Sequence, residues 1–375
     1  MTPPAPAPDT LGSVDAANGF AQTYAEARSR FAAAADAAGL DVHARVHPLL
    51  GSEGEMLALD VVLDGPPHAQ ALLIVSSGCH GVEGFCGSGI QVALLRDGAV
   101  RERASRLGVA VLHLHALNPW GFSWLRRTTQ ENVDLNRNFH DFSEPLPANE
   151  AYDEIAHLLV PRQWPPPAEV EQQLASYAAR HGKAALQAAI SGGQYSHPQG
   201  LFYGGVNPTW SNVTLRHVLQ EHARHRSRLG WIDLHSGLGP SGHGELIFAG
   251  RGDDAAGLAR ARAWWGDALK SLYDGSSVSA PVTGIVGFAA YDECPQAEIT
   301  CVAIEYGTLP LEQVLHALRA DQWLENHPEA DTTGQRARIK REVRDAFYID
   351  SDEWKRGVVA QAREAVAKAL DGLAV

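Results

Sequence analysis

Apolar positions along this chain follow two rhythms. A continuous apolar run over 71–77 reads as a strand buried on both faces of a sheet. Further strand patterns lie at 42–48, 56–63, 109–115, 230–234, 245–249 and 299–304, with a turn signal at Asp64, Gly65, Pro66 and Pro67. Between or after them, helical spacing recurs over 20–38, 88–96, 150–160, 169–190, 211–227, 254–272, 310–325 and 353–372. Strands alternating with helices predict an α/β fold built on one sheet.

The polar, helical stretch over about 141–228 separates two halves of the strand pattern and reads as an insertion. No linker signature flanks it, so the expectation is a single catalytic domain over 16–375, preceded by a disordered Pro/Ala-rich tail at 1–15.

Composition narrows the class. With 31 Lys+Arg against 44 Asp+Glu the formal charge is −13, and 45% hydrophobic with 20% charged residues is a globular balance, neither disordered nor coiled-coil. Such acidity disfavours nucleic acid and anionic membrane surfaces as partners, because binding phosphate draws on clustered Lys and Arg. The first thirteen residues lack a secretory pattern and no window holds 18 uninterrupted apolar residues, so a soluble cytoplasmic protein is expected. Cys79, Cys86, Cys294 and Cys301 have neither zinc-knuckle nor thioredoxin spacing and are expected to be reduced and buried.

Chemistry collects where the strands end. After 71–77 come His80 and Glu83, three residues apart on a glycine-rich turn, a spacing that can chelate a cation. The turn does not spell a dinucleotide loop, and neither Ser88 nor Ser241 fits a nucleophile elbow. After 230–234 comes His235, which would complete a set of two histidines and one carboxylate; Asp233, two positions earlier on the same strand face, could orient it. Glu305 ends an apolar strand, where a carboxylate beside zinc could accept the proton of a water. Arg126, Arg127 and Arg137, interleaved with Asn132, Asn136 and Asn138, could clamp a carboxylate or oxyanion. Each feature alone has a structural alternative: a cap, a salt bridge or a satisfied core histidine.

Taken in order, His80-x-x-Glu83, Arg126, the run from Asp134 to Phe139, the run from Asp233 to Ser236, and Glu305 resemble the zinc carboxypeptidase superfamily. That superfamily also includes aspartoacylase-like and succinylglutamate desuccinylase-like amidases. The stretch from Gln194 to Gly205, followed by Pro208, Trp210 and Asn212, looks like a bacterial branch of unknown function.

The resemblance implies a mixed, mostly parallel sheet with helices on both faces, of the phosphorylase/hydrolase-like kind. It implies one zinc ion on His80, Glu83 and His235, with Glu305 as the base. It gives Arg126 the oxyanion, with Arg127 taking that role if the register is off by one, and gives Asn136 and Arg137 the substrate carboxylate. The activity implied is that of a metallocarboxypeptidase-like hydrolase of a peptide or amide bond next to a free carboxylate. An N-acyl amino acid amidohydrolase of the aspartoacylase type and a non-catalytic binding protein that kept the fold remain alternatives.

One departure concerns the family's mobile tyrosine. The stretch 281–288 holds none, and Tyr291, the nearest, is out of register. This tilts the expected substrate toward a small carboxylate-bearing amide. Phe202, Tyr203, Tyr306, Trp124 and Trp210 could line a pocket, and His113, His115 and His243 read as structural.

Overall fold

The computed structural model describes residues 16–330 and 334–374; the tail expected over 1–15 lies outside them. Among the described residues, eight strands form one sheet: β1 (His43–Leu50), β2 (Met56–Asp64), β3 (Ala71–Ser77), β4 (Val109–His115), β5 (Arg228–Ser236), β6 (Gly244–Phe248), β7 (Lys270–Ser271) and β8 (Glu298–Tyr306). Their spatial order is β1-β2-β4-β3-β5-β8-β6-β7.

The four central strands β4, β3, β5 and β8 run parallel, and β2 and β6 join them antiparallel on either side. This is the mixed, mostly parallel arrangement that the family resemblance implies, on the α/β plan that the alternating pattern predicts.

Alternation along the strands divides the interior into two cores. Leu73, Val75, Ile232, Leu234, Val302 and Ile304 face one core, closed by the helices Gly84–Arg96, Ala255–Trp265 and Asp352–Ala374. Leu72, Ile74, Leu112, Trp231, Ile247 and Cys301 face the other, closed by Trp210–His222 and Phe288–Glu293. With both faces covered, β3 and β4 are buried at every position, which is why they read as continuous apolar runs.

Several boundaries differ from the sequence reading, and glycines set two of them. The helical pattern over 169–190 is two helices, Ala168–His181 and Lys183–Ser191, broken at Gly182 with φ of +92°. The pattern over 254–272 stops at Trp265, because Gly266 turns left-handed and the chain then forms β7 beside β6. The helices Gly98–Leu107 and Gln335–Phe347 were not anticipated. Both are mostly polar, and the second buries only Ile339, Val343, Ala346 and Phe347.

The stretch between β4 and β5 carries the helices Glu150–Leu159, Ala168–His181, Lys183–Ser191 and Trp210–His222, and the last packs on the sheet itself through Leu215, Val218 and Leu219. No helix among the described residues is long and apolar enough to cross a membrane. All four cysteines are buried and unpaired.

Candidate metal centre

The turn after β3 is shaped by close backbone approach. Gly78 has φ of +64°, and a Cβ on Gly81 would sit 2.1 Å from the carbonyl carbon of Gly121. The backbone N–H groups of Gly81 and Val82 donate to the carbonyls of Arg127 and Arg126 at 3.1 and 2.8 Å. The turn is thereby tied to the arginine loop, and His80 and Glu83 emerge from it buried.

From the neighbouring strand tip, His235 completes a compact cluster. Glu83 Oε1 lies 2.8 Å from His80 Nδ1, and its Oε2 lies 3.0 Å from His235 Nδ1. The two Nδ1 atoms are 3.3 Å apart. Ligand atoms of His80, Glu83 and His235 all lie within 4.8 Å of one another, close enough to share one ion.

Carboxylates hold the far side of each ring. His235 Nε2 is 2.6 Å from Asp233 Oδ2, and Asp233 Oδ1 accepts from the Ser76 hydroxyl, which in turn accepts from Trp231 Nε1. His80 Nε2 lies 3.0 Å from Asp134 Oδ1 and 2.7 Å from Arg127 Nη2.

This wiring tests the fit of a metal. With the Nε2 proton of His235 directed at Asp233, Nδ1 presents a lone pair to a carboxylate oxygen; two acceptors at 3.0 Å require a proton or a cation between them. The donor set suits a divalent ion that accepts nitrogen and oxygen ligands, and zinc is such an ion.

The electrostatics agree. Burial alone would raise Glu83, yet the imidazoles of His80 and His235 hold its carboxyl well below the usual range. Burial opposes charging of His235, but Asp233 and then Glu83 raise it well above an ordinary histidine. Asp134 is held low against its burial by Arg127, His80 and Arg137.

A second potential ligand group, Cys79, Asp233 and His235, shares His235. Burial and the charges of Asp233 and Asp134 push the Cys79 thiol far up, and both Asp233 oxygens already have partners. The set built on Glu83 is the better one.

Glu305 stands beside the cluster, in register with His235 across β5 and β8. Its Oε1 accepts from the Leu238 N–H at 3.1 Å. Burial and the charge of Glu83 push its carboxyl up to about 8, with His235 pulling the other way.

The arginines part company. Arg127 reaches the cluster, donating from Nη1 to Glu83 Oε1 at 2.9 Å and from Nε to Asp134 Oδ2 at 3.0 Å. Arg126 turns away, donating to Asp321 Oδ2, Gln322 Oε1 and Asn132 Oδ1 at 3.0–3.1 Å.

Asn136 and Arg137 follow Asp134 on a short 3-10 turn, whose first carboxylate accepts from the Asn136 N–H. Asn136 Oδ1 accepts from the Val286 N–H. Arg137 donates to the carbonyls of Asn136 and Ser191, and its buried Nε has no partner. The ring of Phe202 lies 5.1 Å from the Arg127 guanidinium and 6.0 Å from that of Arg137.

Other flagged residues fall elsewhere. Tyr291 donates to Asp254, Trp210 packs edge-on to His47, and Trp124 stacks with Trp120. Tyr203 and Tyr306 are buried. His113 and His115 are buried on β4, and His243 is exposed on the loop before β6. The role of Asp134 went unread in the sequence, although its place two residues before Asn136 marked it as a side chain of the same turn.

Comparison with known proteins gives a family and a fold. Residues 20–361 match the family described as "Protein of unknown function (DUF2817)". No curated protein matches the chain. Among solved structures, it is similar to bovine thrombin-activatable fibrinolysis inhibitor in complex with tick carboxypeptidase inhibitor, at 13% identity and a TM-score of 0.50, covering 95% of this chain and 98% of that one. A second structure of thrombin-activatable fibrinolysis inhibitor aligns at 12% identity and a TM-score of 0.53, covering 98% and 78%. A metallo-carboxypeptidase from Burkholderia cenocepacia aligns at 11% identity and a TM-score of 0.42, covering 92% and 69%. At these identities the likeness is one of fold, and the fold is the carboxypeptidase-like α/β arrangement expected from the sequence.

Proposed function

The chain belongs to the DUF2817 family, and from its site we propose that it is a zinc-dependent hydrolase of a peptide or amide bond next to a free carboxylate. The observation that carries this reading is the convergence of His80 Nδ1 and His235 Nδ1 on Glu83, with carboxylates behind both rings. These three residues would hold the ion. Bound there, zinc supplies Lewis acidity toward the scissile carbonyl and lowers the pKa of a water.

The chain's own groups divide the remaining work. Glu305, at the rim beside His235, takes a proton from the attacking water and returns it to the leaving amine. Arg127, fixed by Glu83 and Asp134, meets the charge that develops on the carbonyl oxygen, a preorganised interaction worth roughly 3–4 kcal/mol at such sites. Arg137, whose Nε is unpartnered, and Asn136 beside it take the substrate carboxylate. The Phe202 ring lies against both guanidinium groups.

A substrate panel tests the reading. Zinc-supplied protein is expected to hydrolyse peptides with a free C-terminus or N-acyl amino acids, and to act poorly on their carboxyl-amidated forms. Preference between the two free-acid classes separates a carboxypeptidase-like exopeptidase from an N-acyl amino acid amidohydrolase. Equal rates on free and amidated substrates would remove Arg137 from the carboxylate role.

A further inference from the structure

The helix Gln335–Phe347 ends against the strand tips that carry His235 and Glu305. Beyond it Tyr348 is extended, with φ of −145°, so the last carbonyls of the helix find no partner in a continuing turn. Two hydroxyls from the strand tips take them instead. Ser236, the residue after His235, donates to the carbonyl of Phe347 at 2.7 Å, and Thr308, just beyond Glu305, donates to that of Ala346 at 2.6 Å. Both side chains are buried, and the same helix packs on the turn that carries Glu83.

The segment that begins at Ser236 also reaches the proposed site. Three successive backbone N–H groups leave it: Ser236 donates to Glu83 Oε2 at 3.2 Å, Gly237 to the carbonyl of Tyr306 at 2.9 Å, and Leu238 to Glu305 Oε1 at 3.1 Å. The outer two bonds go to the carboxylate proposed to hold the ion and to the one proposed as the base. Their directions depend on Gly237, whose φ of +132° suits glycine alone. A Cβ there would sit 2.7 Å from the Phe347 ring, so the helix end occupies the space that a side chain would need. Of the two hydroxyls at the helix end, that of Ser236 belongs to the segment that holds both carboxylates, and that of Thr308 lies outside it.

We propose that Ser236 is a positioning residue: its bond to the Phe347 carbonyl fixes the 236–238 segment, which orients Glu83 and Glu305 through its two outer N–H groups. The helix Gln335–Phe347 is then part of what holds the site, although none of its side chains is a proposed ligand. The roles of the two carboxylates rest on the proposed hydrolase, whereas the coupling of helix end to segment rests on the bonds alone.

Amide hydrogen exchange tests the coupling without metal or substrate. Ser236→Ala removes the hydroxyl that meets Phe347; Thr308→Val removes its neighbour at the same helix end, whose hydroxyl meets neither carboxylate. Both should lower the melting temperature, since each leaves a helix carbonyl without its donor. Exchange at positions 236 and 238 should quicken about tenfold in Ser236→Ala, the ratio that one lost hydrogen bond supports, and stay unchanged in Thr308→Val. With zinc supplied, Ser236→Ala should bind the ion about tenfold more weakly. Its kcat should fall about tenfold at nearly constant KM, and Thr308→Val should match the unaltered protein in both respects. Unchanged exchange at 236 and 238 in Ser236→Ala, or equal losses of zinc affinity and kcat in the two variants, would overturn the proposal and leave Ser236 as a helix cap. Faster exchange in a protein that neither holds zinc nor hydrolyses any amide would sink the hydrolase reading and keep the coupling.

Discussion

Arg126 and Arg127 are consecutive, yet their guanidinium groups serve different parts of the molecule: Arg126 pairs with Asp321 at 3.1 Å on the helix Leu311–Asn326, and Arg127 pairs with Glu83 at 2.9 Å in the proposed metal site. Both backbone carbonyls accept from the turn that carries His80. Asp321 also receives Lys340 at 2.7 Å, so the Arg126 pair joins the arginine loop to two C-terminal helices.

This divergence predicts opposite consequences. Arg126→Ala takes one of two cations from the buried Asp321, leaving Lys340, and should lower unfolding free energy by roughly 1.5–3 kcal/mol, the range for lost hydrogen bonds to a charged group. Arg127→Ala should lower kcat by about 10²–10³, the usual cost of a lost oxyanion donor, with a smaller change in KM. Thermal melts and steady-state kinetics on both variants check this; a larger kcat loss in Arg126→Ala than in Arg127→Ala, at matched folded fraction, would reverse the assignment.

The pairing of Asp233 with His235 Nε2 at 2.6 Å makes Asp233 a determinant of metal affinity without being a ligand in the proposed set. Asp233→Asn should weaken zinc binding by about 10–100-fold while leaving the stoichiometry unchanged. Competition with a chromogenic chelator reads the affinity directly. Unchanged affinity would detach Asp233 from the centre.

Acid stability should depend on the buried histidines of β4. Burial lowers His113 and His115 to about 4, and the His115 Nδ1 has no hydrogen-bond partner, although Nε2 meets the Ser88 hydroxyl at 2.8 Å. A folded pKa below the unfolded one means that the unfolded chain binds more protons between about pH 6.5 and 4, so the stabilisation is complete above that window and is lost as pH falls through it. His115→Gln removes one such group and should reduce the stability difference between pH 7 and pH 5 by about 2 kcal/mol. Denaturant unfolding at the two pH values measures this; an unaltered difference would show that His115 titrates normally in the fold.

Much of this was legible in the chain because it is local. The run over 71–77 and the His80-Glu83 spacing lie within thirteen residues, and buried parallel strands leave a continuous apolar signal. Asp233 could be placed with His235 because alternation holds within one strand. What could not be read depended on partners distant in sequence. The direction of Arg126 is set by Asp321, 195 residues away. The role of Asp134 is set by His80, 54 residues earlier. Ser236 reads as an ordinary polar residue after His235 until Phe347, 111 residues later, accepts its hydroxyl. The break at Gly182 was visible as a residue but not as a φ of +92°, since an isolated glycine within a helical pattern is often tolerated.

The most direct test is the zinc content of protein purified without chelators. The account predicts about one equivalent per chain, lost in His235→Ala and retained in Glu305→Gln, whose turnover should nonetheless collapse because the base is gone. Less than about half an equivalent in the unaltered protein, unchanged by His235→Ala, would contradict it, since tight binding at His80, Glu83 and His235 is what the proposed site predicts.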